Sequence, residues 1–532
     1  MRVGHKIAGM LGGLGLLSAL VAPAAAADTQ QLSWGDCPAD VFVTKRAKCA
    51  EFQVPMDYSQ PDGQKITLTM SKIPATGTKR GVIAGNPGGP GGSALEMFAD
   101  NAAPDKLTGQ RVKLPADVQE HYDLIAVQPR GLAHGETLNC SYGHLASGVI
   151  PTLAAGLFRD LCDLEQPGYS QQVTTANTAR DLDRARQLLG EDRLNLYGVS
   201  YGGVLMGTYA TMFPQHTGKA LIDSSASPES LWFKTGRDRE SWRRDGLHDV
   251  FQWIADRDDE YHLGTTPLQV YQRWSAVIDK ESGVPAQVTP PPAEIGDLPA
   301  GLKEHANVVL PAANQALPPA WRLGSAMATL AKGKQQATLA SPLFTFTYFG
   351  ALYNPEMRPK LAEYIRTGKQ PKMEGQEVGP NGRPVNPVTG KELSEEETMG
   401  LLEQMTSLGS VERSIVCNDN ATPTKPEMLP QLFIDELTGG DSISAIEGNL
   451  GSGRVCAGWP LPHPGAPING EKLETKPLHV GFTNDSAVTG DAIWQMQKAL
   501  GGEAVQVPGH AHGVMLVSPE KVAGKVSAYF NG

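Results

Sequence analysis

The 532-residue chain carries 46 Lys and Arg against 57 Asp and Glu, for a formal net charge of −11. With no basic cluster, that balance argues against nucleic acid or an anionic membrane surface as a partner. A hydrophobic content of 40% supports a full-sized core. The length exceeds what one ordinary core serves, so one large domain with an insertion, or two domains, is expected.

The chain opens with Arg2 and Lys6, a nearly unbroken apolar and small stretch over 7–21, and Ala25-Ala26-Ala27. This reads as a secretory signal peptide over 1–27, with the mature chain starting near Asp28. Its apolar run is about 15 residues, short of the roughly 20 that span a bilayer. No later stretch looks able to cross, so a secreted or periplasmic product without membrane contact is expected.

Six cysteines fall in three local pairs: Cys37 with Cys49, Cys140 with Cys162, and Cys417 with Cys456. In an exported chain an even count reads as disulfides, and nearest-neighbour pairing is preferred among the possible connectivities. The C-x-x-C spacing of a zinc site is missing, and neither a metal nor a cofactor is expected.

From Cys49 to about Ser227, strand-like and helix-like stretches alternate. Strands are expected over 66–70, 81–84, 123–127, 194–197 and 219–222, with helices over 178–189 and 203–213. From 228 to 414 the texture turns helical and tryptophan-bearing, with a polar Gly/Pro/Glu excursion over 374–397. Alternation resumes with a strand over 478–482, a helix over 491–500 and a strand over 504–507. A parallel sheet with crossovers, interrupted by a helical insertion and then completed, accounts for this order. The expected layout is a first core part over 28–227, a helical cap over 228–414 and a second core part over 415–532.

Gly198-Val199-Ser200-Tyr201-Gly202 follows a strand and opens a helix, the context of a nucleophile elbow. Asn86-Pro87-Gly88-Gly89-Pro90-Gly91-Gly92 follows an early strand, and its glycines let backbone N–H groups converge on an anion. Gly89 and Tyr201 are the candidate oxyanion-hole donors. A phosphate-binding loop is the competing reading, but the lysine of that motif is missing.

A general base must follow in the order Ser, acid, His. Gly509-His510-Ala511-His512-Gly513 closes the last strand–helix–strand unit, and His512 is preferred over His510. Asp485, just past the strand at 478–482, is the preferred acid, with Asp223 at the end of the 219–222 strand as the alternative. Ser200, His512 and Asp485 would then act as nucleophile, base and orienting carboxylate.

These motifs together resemble the tripeptidyl aminopeptidase branch of the prolyl-aminopeptidase-like α/β-hydrolases, secreted by bacteria such as Streptomyces. The resemblance includes Val54-Pro55-Met56-Asp57-Tyr58, Asn86 through Ser93, Pro129-Arg130-Gly131 and Thr175 through Asp183. It continues through Gly198 to Gly203, Asn418-Asp419 and Trp459-Pro460. It implies an α/β-hydrolase fold with an inserted helical cap and cofactor-free release of short peptides, often tripeptides, from free N-termini. The departures are Gln128 where relatives usually carry Asp, Ala133-His134-Gly135 in the following loop, and no proline after Asp485.

An aminopeptidase needs a partner for the substrate's ammonium group, because a partly desolvated cation demands one. Asp419 is the first candidate, with Glu412 and Glu229 behind it. Two other functions stay open. A secreted carboxylesterase would use the same triad on a small ester. A binding protein on a hydrolase fold would have lost the serine, the histidine or the glycine loop, and all three are present.

Overall fold

The computed structural model describes residues 30–98, 112–140, 155–372, 377–386, 389–460, 465 and 468–532. The expected signal segment and its cleavage site lie outside these. Contacts divide the chain into Met1–Gln31, of which only residues 30 and 31 are described, and Leu32–Gly532, which holds everything below.

The sheet has eight strands: β1 (Lys48–Pro55), β2 (Lys65–Ile73), β3 (Gly81–Asn86), β4 (Tyr122–Val127), β5 (Leu194–Val199), β6 (Thr217–Asp223), β7 (Leu478–Asn484) and β8 (Glu503–His510). Their order is β1-β2-β4-β3-β5-β6-β7-β8. The β1–β2 and β2–β4 pairs are antiparallel, and every pair from β4–β3 to β7–β8 is parallel. β1 was not foreseen, although its Ala50, Phe52 and Val54 alternate with more exposed neighbours.

Both faces of the central strands are covered, which parallel sheets require. In β5, Leu194 and Leu196 point into one core with the helices Thr175–Leu189 and Tyr201–Met212. Tyr197 and Val199 point the other way, into a second core closed by Val526 and Phe530 of the C-terminal helix Ala523–Asn531. Between β6 and β7 the chain leaves the sheet for helices that include Phe233–Ala255, Pro267–Ser282, Arg358–Thr367 and Glu395–Asn418. This inserted region has its own core around Phe251, Trp274, Leu343 and Leu361. Helices continue past 414 to Ser442–Ser452.

Three disulfides join Cys37 to Cys49, Cys140 to Cys162 and Cys417 to Cys456. Among the described residues no helix is long and apolar enough to cross a membrane.

Three separate sequence motifs meet in one buried network. Arg130, with no exposed surface, grips both oxygens of Asp181 at 2.8 and 2.7 Å and reaches the Met56 carbonyl at 2.7 Å. Tyr58 donates to the same carboxylate at 2.8 Å. The segments around 54–58, 129–131 and 175–183 thus serve the scaffold, joining β1, the β4 exit and the helix Thr175–Leu189. Asp181→Asn would leave the Arg130 charge buried with a neutral partner. The expected loss is about 3 kcal/mol of unfolding free energy, measurable by urea denaturation.

His479 in β7 is also fully buried, with Nε2 against the Gly501 carbonyl at 2.9 Å. Burial lowers its pKa from 6.5 to about 4. Between those values the unfolded chain binds a proton that the folded chain resists, so stability from this residue falls as pH drops. The loss amounts to about 3 kcal/mol once pH is below 4. Asp223 and Asp419, each raised to about 6 by burial, act in the opposite sense over the same range. Comparing His479→Gln with the parent isolates the histidine. Urea denaturation at pH 7 and pH 4.5 should show the variant losing less stability on acidification.

Candidate active site

Ser200 sits between β5 and the helix Tyr201–Met212 with φ 59° and ψ −126°, a conformation side chains rarely adopt. Its neighbours explain the glycines. A Cβ on Gly198 would lie 2.2 Å from the Gly202 carbonyl oxygen, and one on Gly202 would lie 2.2 Å from that of Asn86. The turn closes only without those side chains. It leaves Ser200 half-buried at the positive end of a helix.

The glycine-proline loop lies directly on this turn. A Cβ on Gly88 would stand 2.5 Å from the Val199 carbonyl oxygen and 3.0 Å from both Ser200 Cβ and the Tyr201 nitrogen. Asn86 Oδ1 accepts from the Gly88 N–H at 2.9 Å, and the Gly92 N–H donates to the Gly88 carbonyl at 2.9 Å. These bonds hold Gly89, with φ 113°, beside the first turn of the elbow helix. Gln128 braces the loop's far end. Its Oε1 accepts from the Ala94 N–H at 2.9 Å, and its Nε2 donates to the Ala133 carbonyl at 2.7 Å. An amide supplies both an acceptor and a donor there, which a carboxylate could not.

His512 is buried with Nδ1 2.8 Å from Asp485 Oδ2 and 3.1 Å from Oδ1. Asp485 Oδ1 also accepts from the N–H groups of Ala487 and Val488, at 2.8 and 3.2 Å. A carboxylate fixed in this way keeps the proton on Nδ1 and leaves the Nε2 lone pair available. His510, two residues earlier, has Nε2 2.8 Å from the Asn484 amide nitrogen and 3.8 Å from Asp249.

Asp223 plays a different part from the one weighed for it. Its carboxylate accepts from the N–H groups of Val514 and Met515 at 2.7 and 2.9 Å, while its carbonyl accepts from the Ser200 N–H at 3.0 Å. Ser224 Oγ accepts from the Gly513 N–H at 3.0 Å. The end of β6 thereby ties the Ser200 turn to the loop carrying His512.

The insertion reaches this loop through a residue that sequence reasoning passed over. The Tyr353 carbonyl accepts from the His512 N–H at 3.0 Å, and the two rings lie 5.6 Å apart. Arg243, buried in Phe233–Ala255, donates to the Tyr353 hydroxyl at 2.8 Å and sits 2.8 Å from Glu447. No local signal marks Tyr353, since its partners are far away in sequence.

The three carboxylates considered for a substrate amine lie in different places. Asp419, at the end of Glu395–Asn418, is buried and accepts from the Thr175 N–H at 2.6 Å. Burial raises its pKa to about 6. Glu229 is exposed and 3.5 Å from Lys498. Glu412 makes no ion pair among the described residues. None of them contributes to a metal site: among the described residues no group of three His, Cys, Asp or Glu is placed to hold a metal ion.

A family model described as the alpha/beta hydrolase fold matches residues 86–269. The tripeptidyl aminopeptidase of Streptomyces lividans is 33% identical over 270 residues, covering 47% of this chain and 49% of the relative. Serine protease Hip1 of Mycobacterium tuberculosis is 28% identical over 272 residues, covering 47% and 50%. Carboxylesterase B of the same species is 26% identical over 288 residues, covering 51% and 54%. The chain thus spans about half the length of the curated relatives it matches. Among solved structures, a proline iminopeptidase from Mycobacterium smegmatis aligns over 90% of this chain and 97% of its own, at 13% identity and a TM-score of 0.36. The chain has the α/β-hydrolase fold and is related, over about half its length, to the Streptomyces tripeptidyl aminopeptidase and to the mycobacterial serine protease Hip1.

Proposed function

We propose that this chain is a secreted serine exopeptidase that releases short peptides, typically tripeptides, from free N-termini. Ser200 Oγ attacks the scissile carbonyl and forms an acyl-enzyme. His512 Nε2 takes the serine proton and returns it to the leaving amine. Asp485 holds the imidazole's tautomer and steadies its charged form. The N–H groups of Gly89 and Tyr201 receive the developing oxyanion. A second round with water, activated by the same imidazole, frees the peptide.

The observation that carries this reading is the 2.8 Å clamp of Asp485 on His512, in a loop that Asp223 ties to the Ser200 turn. The peptidase assignment draws on the relationship to the tripeptidyl aminopeptidase. Three disulfides fit an oxidising compartment and support export. The related carboxylesterase keeps an esterase reading as the second one, because a triad does not distinguish ester from amide.

The two readings separate on three substrates: Ala-Pro-Ala-p-nitroanilide, its N-acetylated form and p-nitrophenyl butyrate. An exopeptidase cleaves the free-amine peptide as an intact tripeptide and leaves the acetylated one. Rapid ester turnover without peptide cleavage would make the chain a carboxylesterase.

A further inference from the structure

The helix Ala306–Lys332 lies on the surface of the inserted region: only Ala306, Ser325 and Thr329 of its 27 residues are fully buried. Polar contacts fix which side faces in. Asn314 Nδ2 donates to the Ala293 carbonyl at 3.1 Å, Ser325 Oγ to the Gly439 carbonyl at 2.5 Å, and Gln287 Nε2 to Thr329 Oγ1 at 2.9 Å. The opposite side is apolar and open. Val308, Leu323, Met327 and Leu330 are 70, 64, 65 and 68% exposed. Ala312, Ala316, Pro319 and Ala320 are exposed between them. Steps of three and four residues put all these positions on one face.

That face carries no charge. The helix holds two charged residues, and both turn to their own chain: Arg322 to Asp435 at 2.9 Å, and Lys332 to the Gly283 carbonyl at 2.5 Å. Leu302 and Leu339, in the turns just before and just after the helix, are also exposed. Together these side chains present on the order of 800 Å² of apolar surface. Monomers rarely leave more than a few hundred Å² contiguous, and about 800 Å² per partner is a standard interface.

We propose that this face joins two copies of the chain, with Ala306–Lys332 of one running antiparallel to the same helix of the other. The order of side-chain sizes carries the choice of partner. A two-fold interface must be complementary to itself. Here the small residues Ala312 and Ala316 lie in the first half of the helix and the bulky Leu323, Met327 and Leu330 in the second. Antiparallel pairing centred on Pro319 and Ala320 sets Leu323 against Ala316, Met327 against Ala312 and Leu330 against Val308. Large meets small along the whole length. Charge agrees with this. Two chains of net charge −11 repel, and an uncharged face lets them meet where repulsion is least. A helix lying on a lipid surface carries free Lys or Arg beside its apolar face, and both cations of this one are engaged.

The test is sedimentation velocity of the full chain across concentration. The parent should be dimeric at about 100 μM and dissociate on dilution, as a modest apolar interface does. Leu323→Glu and Ala316→Glu should each raise the dimer dissociation constant about 100-fold, because each sets an unpaired carboxylate against the partner's apolar half. Both positions are exposed in the single chain, so melting temperature under dilute conditions should match the parent. The pairing itself is read by cross-linking. None of the native cysteines is free, so one added thiol reports alone. Ala320→Cys, near the two-fold axis, should give a covalent dimer on mild oxidation. Val308→Cys, about 17 Å along the helix from that axis, should not. A parent that stays monomeric throughout overturns the proposal. So does a dimer that survives both glutamate variants, or one cross-linked through Val308→Cys and not Ala320→Cys. A monomer that instead co-sediments with phosphatidylcholine vesicles also overturns it and assigns the face to lipid.

Discussion

Ser200→Ala lowers kcat on any acyl substrate by about 10⁶-fold, because it removes the only atom proposed to form the acyl-enzyme. The variant is a clean probe. Alanine meets no greater steric conflict than serine at φ 59°, and the turn is held by backbone bonds from the Ser200 N–H to Asp223 and from the Gly203 N–H to the Ser200 carbonyl. Residual hydrolysis would come from the glycine loop and substrate binding alone. The comparison needs p-nitrophenyl butyrate and Ala-Pro-Ala-p-nitroanilide with both proteins, plus a melting curve for each. A decrease below tenfold on both substrates would place the nucleophile elsewhere.

Asp485→Asn should cost about 10⁴-fold in kcat through the tautomer of His512. The asparagine oxygen can still accept from the N–H groups of Ala487 and Val488, which keeps the loop in place. Its NH₂ then faces Nδ1 and forces that nitrogen to accept. The ring proton moves to Nε2, the nitrogen that must take the serine proton, and the base is blocked. The same change at Asp223 touches two backbone amides and the Tyr197 hydroxyl, while the carboxylate at hydrogen-bond distance from Nδ1 is that of Asp485. Its effect on kcat should be far smaller, with the loss appearing in stability instead. Stopped assays on the two variants, side by side, distinguish the acid from the tie.

What the sequence made legible follows from where the chemistry is local. The Ser200 turn is encoded within five residues, because only glycine fits at 198 and 202 between a strand and a helix. The parallel strands were legible because burial on both faces makes them short apolar runs. β1 was not, since an edge strand with Glu51 and Gln53 on its open side shows only three alternating apolar residues. His510 and His512 sit two residues apart in one short segment, and choosing between them needed Asn484 on one ring and Asp485 on the other. The function of the Arg130 and Asp181 motifs was hidden for the same reason. They meet across 51 residues, and the sequence alone suggested a family trait without its structural cause. Arg243 and Tyr353, 110 residues apart, lie in the inserted helices. Tertiary packing decides their partners, and no periodicity records it.

The most direct measurement is the intact mass of the protein after reaction with a fluorophosphonate probe, followed by peptide mapping. The account predicts one adduct, located on Ser200, which is lost in Ser200→Ala and strongly slowed in Asp485→Asn. Labelling that persists in Ser200→Ala, or an adduct mapped to another serine, would contradict it.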